Sequence, residues 1–477
     1  MVVILLSGYL KRLLKIAEDS DGAFDPTIGK LIRLWDIGGE NQKIPEEAEI
    51  KNVLKDSGYQ KIFLDGNTVH MEEGCSLDLG AAGKGIGCDL ILKELETKKD
   101  VIAALMNLGG SSVMTYGSKP DGSSWNVAVT DPRAENDDDY LGVVALNGTE
   151  FLSTSGDYEK YFIENGVRYH HIMDPSTGYP AKSGVTGVTV VCDTGLEADA
   201  LSTACFVLGV EKFPCLTIFY SVDAHIHAWQ ALYAQAFDAC LVSLRDYVPR
   251  FSGPFLPAGR VWWSPAFAWR EDAPQPDAPK EYDCLFVGSQ RPEMPRRAAF
   301  LQALQARLPG LRVTSGSYRA LYPRARVILN HCEHGDLNFR VFEALGCGGC
   351  LVTPRIGHGL TELFTDGAEL SCYEPGNPED ACRRIVHWLE HPRAAADLGQ
   401  AGLAAVDAAH REWHRAQTFT LRTRALLTAA PALQRRRRRC AALIRERSLR
   451  LLYLHWAEAE LCPGLRQAYL DAARGTV

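Results

Sequence analysis

Leu77-Asp78-Leu79-Gly80-Ala81-Ala82-Gly83-Lys84-Gly85-Ile86-Gly87 is the stretch on which the reading of this chain turns. Small residues after an apolar, strand-like run let a diphosphate approach the backbone, the helix that follows offers a positive N-terminus, and Lys84 adds a point charge. The spacing to the lysine is not that of a Walker loop, and no Ser or Thr follows it. Taken alone, a nonspecific Gly-rich turn explains the same pattern. The stretch is expected to end a strand at Leu77 to Leu79 and to open a helix that runs through Leu92.

Outward from this loop the elements alternate. Residues 8–36 read as a helix, a turn at Asp21-Gly22 and a second helix, with Leu10, Leu13, Leu14 and Ile16 at helical spacing. Asp65-Gly66-Asn67 between short β-rich runs marks a hairpin. Strand-like runs follow around Ala103 to Leu108, Trp125 to Val129, Val143 to Leu146 and Val188 to Val191, and a helix from about Leu196 to Leu208 closes the unit. The fold class implied is mixed α/β.

Three further motifs carry chemistry. Asp21 to Gly29 places backbone amides and the carboxylate of Asp25 at a helix end, where an ordinary inter-helix turn with Asp25 as a cap is the competing reading. Ser153-Thr154-Ser155-Gly156-Asp157-Tyr158 and His170 to Pro180 bring hydroxyls, a histidine and Asp174 to loops. A strand points adjacent histidines to opposite faces, so at most one of His170 and His171 faces a site. His171 is taken as that one, with a structural histidine capping Asp174 the equal alternative. In Glu197 to Thr203, Asp199 and Thr203 are four apart and share a helix face. Two hard oxygen ligands with room for phosphate oxygens suit Mg²⁺; a surface Asp with a back-bonded Thr is the plainer explanation.

Composition divides the chain. Residues 1–212 hold 15 Lys and 4 Arg, whereas residues 213–477 hold 1 Lys and 31 Arg. The net charge of −8 argues against nucleic acid as a partner. The run Arg435 to Arg439 reads as a solvated helix face. Fourteen cysteines scattered singly are the pattern of reduced thiols, and no stretch has the length of a transmembrane segment. With no secretory leader or lipid-accepting signal at the N-terminus, a cytoplasmic location is the default expectation.

The pieces GAFDPTIG (22–29), LDLGAAGKG (77–85), NLGGSS (107–112), STSGDYEKYF (153–162), HHIMDPSTGYP (170–180) and ADALSTACFVLG (198–209) fall in one family's order and spacing. From about Gly8 through Gly209 the chain closely resembles the FAD:protein FMN transferases, older name thiamine biosynthesis lipoprotein. The resemblance implies a Mg²⁺-dependent transfer of FMN from FAD, as substrate, to a threonine hydroxyl of an acceptor protein, with release of AMP. It implies FAD contact at Ala23, Phe24, Asp25 and Lys84, with Thr177 and Gly178 added to that set. Metal ligation falls to Asp199, Thr203 and the Gly83 carbonyl, and His171 or Asp174 is the candidate base. The family's N-terminal segment with flavin contacts and its closing strands after the last helix are expected to be absent, the latter replaced at Phe213. Members of the family are often exported.

From Phe213-Pro214 the sequence changes character. Helix and strand alternate to about Tyr373, the pattern of a parallel doubly wound sheet, and the last hundred residues are almost wholly helical. FYSVDAHIHAWQ (219–230), DCLFVGS (283–289) and the long stretch from Leu337 to Leu370 resemble spore-maturation-type glycosyltransferases with two Rossmann-like domains. That resemblance implies a nucleotide-sugar site with Glu343 on the ribose, Arg340 on the phosphates and Gly359 in the loop at a strand's carboxyl end. Cys347-Gly348-Gly349-Cys350 lacks a second cysteine pair at metal-site spacing and is read as small residues packing a turn. Asp223, His225 and His227 alternate along a strand and are read as structural.

The expected domains are 1–212, incomplete and flavin-transferase-like; 213–280, a glycosyltransferase remnant and linker; 281–430, nucleotide-sugar-binding-like; and 431–477, a helical Arg-rich tail. The leading reading is a flavin transferase unit joined to a glycosyltransferase unit. A glycosyltransferase with an inert N-terminal half and a non-catalytic fusion product are the alternatives, and the Lys/Arg switch favours the last.

Overall fold

A computed structural model describes residues 2–132, 140–213, 215–288, 294–461 and 463–474. Pro214 of the sequence break and Ser289 of DCLFVGS lie outside the described residues. The chain divides into two compact units, Met1–Cys215 with Gln434–Val477, and Leu216–Leu433. Of the expected tail, 431–477, residues 434–477 group with the first unit and 431–433 with the second.

The first unit is built on a four-stranded antiparallel sheet, in the order Gly187–Cys192, Phe151–Gly156, Ser112–Tyr116, Ala104–Leu108. Two helices, Gly83–Leu95 and Gly195–Leu208, contact one another and this sheet, with Cys88, Met114, Phe151 and Ala198 buried among them. The N-terminal helix Val2–Asp19 lays Tyr9, Leu13, Ile16 and Ala17 on the same helix pair, beside Leu196, Ala200 and Ala204. Its helical spacing thus corresponds to a buried stripe. Ile62–Asp65 and Thr68–Met71 pair with Asp65 opposite Thr68, so Gly66-Asn67 forms the turn, with Gly66 at φ +57°. Gly-Asn at a two-residue hairpin supplies the positive φ that such turns require.

Leu77 to Leu79 is not a strand: only Ser76 makes a bridge, to Ile28. The Leu79 carbonyl instead accepts the amides of Ala82 and Gly83, at 3.0 and 2.7 Å, which turns the backbone directly into the helix. Nor is the arginine run simply solvated. Arg437 is 4% exposed, and its guanidinium donates to the Phe213 and Cys215 carbonyls at 2.5 and 2.7 Å. Arg438 pairs with Asp21 at 2.9 Å. A long planar donor satisfies loop carbonyls that water would otherwise solvate, which a charge count cannot distinguish from a free helix face.

The second unit holds two parallel sheets. Ile218–Ser221, Ala239–Val242 and Val261–Trp263 form the first. The second runs Leu311–Thr314, Tyr282–Val287, Ala325–Leu329, Leu351–Pro354, Ser371–Tyr373, a 2-1-3-4-5 order whose switch point lies between its first and third strands in sequence. Asp223, His225 and His227 lie in turns after Ile218–Ser221 and not along a strand. Cys347 and Cys350 are buried in separate apolar clusters, and a Cβ on Gly349 would stand 2.2 Å from Ile328 Cδ1. Close packing accounts for that motif. Among the described residues no helix is long and apolar enough to cross a membrane.

Candidate functional site

One cavity of about 340 Å³ in the first unit gathers residues from all four N-terminal motifs. Ala23, Phe24 and Asp25 come from the inter-helix turn, Lys84 from the Gly-rich loop, His171 from the end of a hairpin, and Asp199 and Thr203 from the Gly195–Leu208 helix. Asp78, Ser111, Thr154, Ser155 and Lys160 also line it. The sequence points to Thr154 and Ser155 only as hydroxyls of a motif and gives none of the five an individual role; the fold brings the three hydroxyls together with Asp78 and Lys160.

The local structure explains each placement. Asp25 is buried and holds its loop: Oδ1 accepts the Thr27 amide and hydroxyl at 2.8 and 2.6 Å, and Oδ2 accepts the Tyr59 amide at 3.0 Å. Burial outweighs those donors and raises its pKa. Lys84 Nζ donates to Ser111 Oγ, so the one ammonium in the loop is aimed across it. Ser155 Oγ lies 2.8 Å from Ser202 Oγ and 3.2 Å from Thr203 Oγ1, so the hydroxyls of Ser155 and Thr203 on the cavity wall are backed by that of the buried Ser202.

The two histidines part company at the hairpin end. His170 is buried beside Phe206, bonded through Nε2 to the Ala181 carbonyl at 3.0 Å, and burial pushes it down to about 3. His171 lines the cavity with Nδ1 3.2 Å from the Lys160 carbonyl. A carbonyl only accepts, so Nδ1 carries the proton and Nε2 keeps a lone pair. Burial lowers the His171 pKa as well, favouring that neutral ring.

Other candidates lie elsewhere. Asp174 is not in this cavity; it borders a neighbouring one with Ser20, Asp21, Lys212 and Arg438. Its Oδ1 accepts the Ser176 amide and hydroxyl at 2.8 and 2.6 Å, an Asx turn that fixes the loop. Thr177 and Gly178 belong to that turn and do not line the cavity. Gly178 has φ +76°, its carbonyl accepts Trp35 Nε1 at 2.9 Å, and a Cβ there would lie 2.4 Å from Ile50 Cγ2. Gly83 begins its helix and is likewise outside the lining residues.

Asp199 is 8% exposed. Its Oδ2 accepts the Gly85 amide at 2.6 Å and its Oδ1 the Ser112 hydroxyl at 2.6 Å. No ion pair to it occurs among the described residues. A buried carboxylate with neutral donors and no cation, bordering a cavity with Thr203, fits a bound divalent ion.

Residues 5–222 match the ApbE family. Residues 290–420 match a second family, described as glycosyl transferase-like, so the chain joins the two. The first half of the chain resembles the FAD:protein FMN transferase of Treponema pallidum (strain Nichols), 37% identical over 235 residues, covering 46% of this chain and 64% of that protein. The enzyme of the same description from Klebsiella pneumoniae (strain 342) is 37% identical over 195 residues, covering 40% of this chain and 58% of that protein. The crystal structure of the ApbE protein from Thermotoga maritima is 39% identical, covering 43% of this chain and 65% of that one, with a TM-score of 0.40. The chain spans less than two thirds of the length of each.

In the second unit, Arg340 sits at the switch point of the five-stranded sheet. It donates to the Val287 carbonyl at 3.0 Å, Asn330 Oδ1 at 2.9 Å and the His331 carbonyl at 3.3 Å, tying two strand ends together. Burial raises Glu343 to about 7. Gly359, at φ +92°, packs on Trp263, where a Cβ would lie 2.4 Å from the ring.

Proposed function

We propose that the first unit transfers FMN from FAD to a threonine hydroxyl of an acceptor protein with the help of Mg²⁺. The observation that carries this reading is the single cavity holding Lys84, Asp199, Thr203 and His171 in a domain of the ApbE family. The acceptor hydroxyl attacks the FMN-side phosphorus of FAD; the bond from that phosphorus to the bridging oxygen breaks, and AMP leaves with the oxygen. Mg²⁺ would be held by Asp199 and Thr203 with phosphate oxygens and would neutralise diphosphate charge. Lys84 supplies a second, fixed positive charge at the loop, and the Ser155 and Ser111 hydroxyls orient the phosphates. His171 Nε2 takes the proton of the attacking hydroxyl, since its tautomer is set by the Lys160 carbonyl and its ring is kept neutral. Asp174 has no place in this step because it faces another cavity. The site lies on the sheet's loop edge with Phe24, Ile28 and Ile32 available to an isoalloxazine ring.

His171→Ala tests the base. Transfer at the parental rate across pH 6–9 would exclude it; a loss on the order of 10²-fold, less severe at high pH, supports it.

A second activity, sugar transfer from a nucleotide donor, is proposed for the second unit. It is favoured by the family match over 290–420 and by Glu343 near the doubly wound switch point. Arg340 would contribute there chiefly by fixing the strand ends. Release of nucleoside diphosphate from a panel of nucleotide sugars is the check, and its absence with every donor would remove the reading.

A further inference from the structure

The helices that flank the site begin alike. Gly85-Ile86-Gly87-Cys88-Asp89 and Gly195-Leu196-Glu197-Ala198-Asp199 share a Gly-x-x-x-Asp spacing, one turn apart on a single helix face. In the structure the two starts cross back to back. A Cβ on Gly85 would stand 2.0 Å from the Gly195 carbonyl oxygen, and one on Gly195 would stand 2.3 Å from the Gly85 carbonyl oxygen. Each aspartate reaches over to the other helix. Asp199 Oδ2 accepts the Gly85 amide at 2.6 Å. Asp89 Oδ1 and Oδ2 accept the Gly195 and Leu196 amides at 2.7 and 3.1 Å.

The bracing is reciprocal, but the two carboxylates are not equivalent. Asp199 lines the cavity; Asp89, 7% exposed, does not, and both of its oxygens are spent on the amides of the other helix's first turn. Those amides are orphan donors at a positive helix end, where a carboxylate cap is most effective. Without Asp89 the first turn of the Gly195–Leu208 helix would lose the two hydrogen bonds that register it on its partner. Asp199 sits one turn further along that helix, so its carboxylate would follow any shift of that first turn.

We infer that Asp89 is the positioning residue for Asp199: it fixes the helix that carries the candidate metal ligand and so sets cation affinity from outside the cavity. This rests on the flavin-transfer reading of the cavity. A supporting residue that orients a ligand typically alters metal affinity by about 10–100-fold.

The test uses the full chain with Asp89→Ala, Asp89→Asn, Asp199→Ala and the parent. Mn²⁺ alone is titrated with electron paramagnetic resonance, and the Mg²⁺ midpoint of FMN transfer and the Tm are measured alongside. The expected result is a Mn²⁺ Kd raised about tenfold or more in Asp89→Ala and by less in Asp89→Asn, which keeps one acceptor oxygen. The Mg²⁺ midpoint moves in parallel, and transfer recovers at saturating Mg²⁺, whereas Asp199→Ala does not recover. If Asp89→Ala fails to fold, Asp89→Asn is held to the same criterion at about threefold. A lowered Tm with Mn²⁺ affinity within twofold of the parent overturns the inference and leaves the flavin-transfer reading standing. A parent protein that binds no Mn²⁺ and transfers no FMN overturns both.

Discussion

Gly85→Ala places the sharpest demand on the crossed helices. The new Cβ would meet only backbone: the Gly195 oxygen at 2.0 Å, its carbonyl carbon at 2.4 Å and the Leu196 nitrogen at 2.9 Å. No side chain can swing away, so the helices must separate by about 1 Å merely to reach the tightest tolerable contact. That displacement would stretch the 2.6 Å bond from Gly85 to Asp199 and the 2.7 Å bond from Gly195 to Asp89 past useful hydrogen-bond length. Hydrogen bonds to a charged group are each worth about 1.5–3 kcal/mol, and overpacking adds about 1–3 kcal/mol. With partial relaxation the expected loss is about 3–6 kcal/mol in the first unit. Native-state hydrogen exchange on peptides covering 83–95 and 195–208 reads it locally, as amide exchange faster by roughly 100-fold or more. A loss below about 1 kcal/mol would refute the claim that this glycine contact sets the helix spacing.

Three further outcomes follow from buried charge. Arg445→Ala removes the cation from Glu211, which is wholly buried and bonded to Arg445 Nε at 2.7 Å, so thermal unfolding of the first unit should show a loss of about 3–5 kcal/mol; an unchanged melt would deny that the C-terminal helices are part of that unit. His170, held near 3 when folded against about 6.5 when unfolded, contributes stability that is whole above pH 6.5 and falls away as pH drops. Between pH 7.5 and 5 the parent should therefore lose about 2 kcal/mol that His170→Asn does not, as read by urea unfolding, and parallel pH curves would contradict this. Burial raises the Cys347 and Cys350 thiols to about 12, so neither should be alkylated by iodoacetamide at pH 8 in the folded chain; rapid labelling mapped to either would overturn the packing account of that motif.

What the residues disclosed before folding was the set of loops, and what they concealed was the pairing between them. Asp25, Lys84, His171 and Asp199 stand in separate motifs whose chemistry is readable one at a time, and the sheet order brings them to one cavity. Asp174 looked equivalent to His171 because both sit in one short loop, yet an Asx turn with Ser176 points it to the neighbouring cavity. The twin Gly-x-x-x-Asp starts were visible as spacing, but spacing does not say that two helices will dock across them; only contact makes Asp89 meaningful. Leu77 to Leu79 has strand composition, and the capping of the next helix by the Leu79 carbonyl overrode it. The run Arg435 to Arg439 shows the same limit, since a solvated arginine and one that satisfies loop carbonyls are identical in sequence.

The most direct measurement is mass spectrometry of a threonine-containing acceptor protein incubated with the full chain, FAD and Mg²⁺. The account predicts an acceptor heavier by one FMN less one water, mapped to a threonine, with AMP released in equal amount and both lost in Asp199→Ala. An acceptor of unchanged mass, with folded protein and saturating FAD and Mg²⁺, would contradict it.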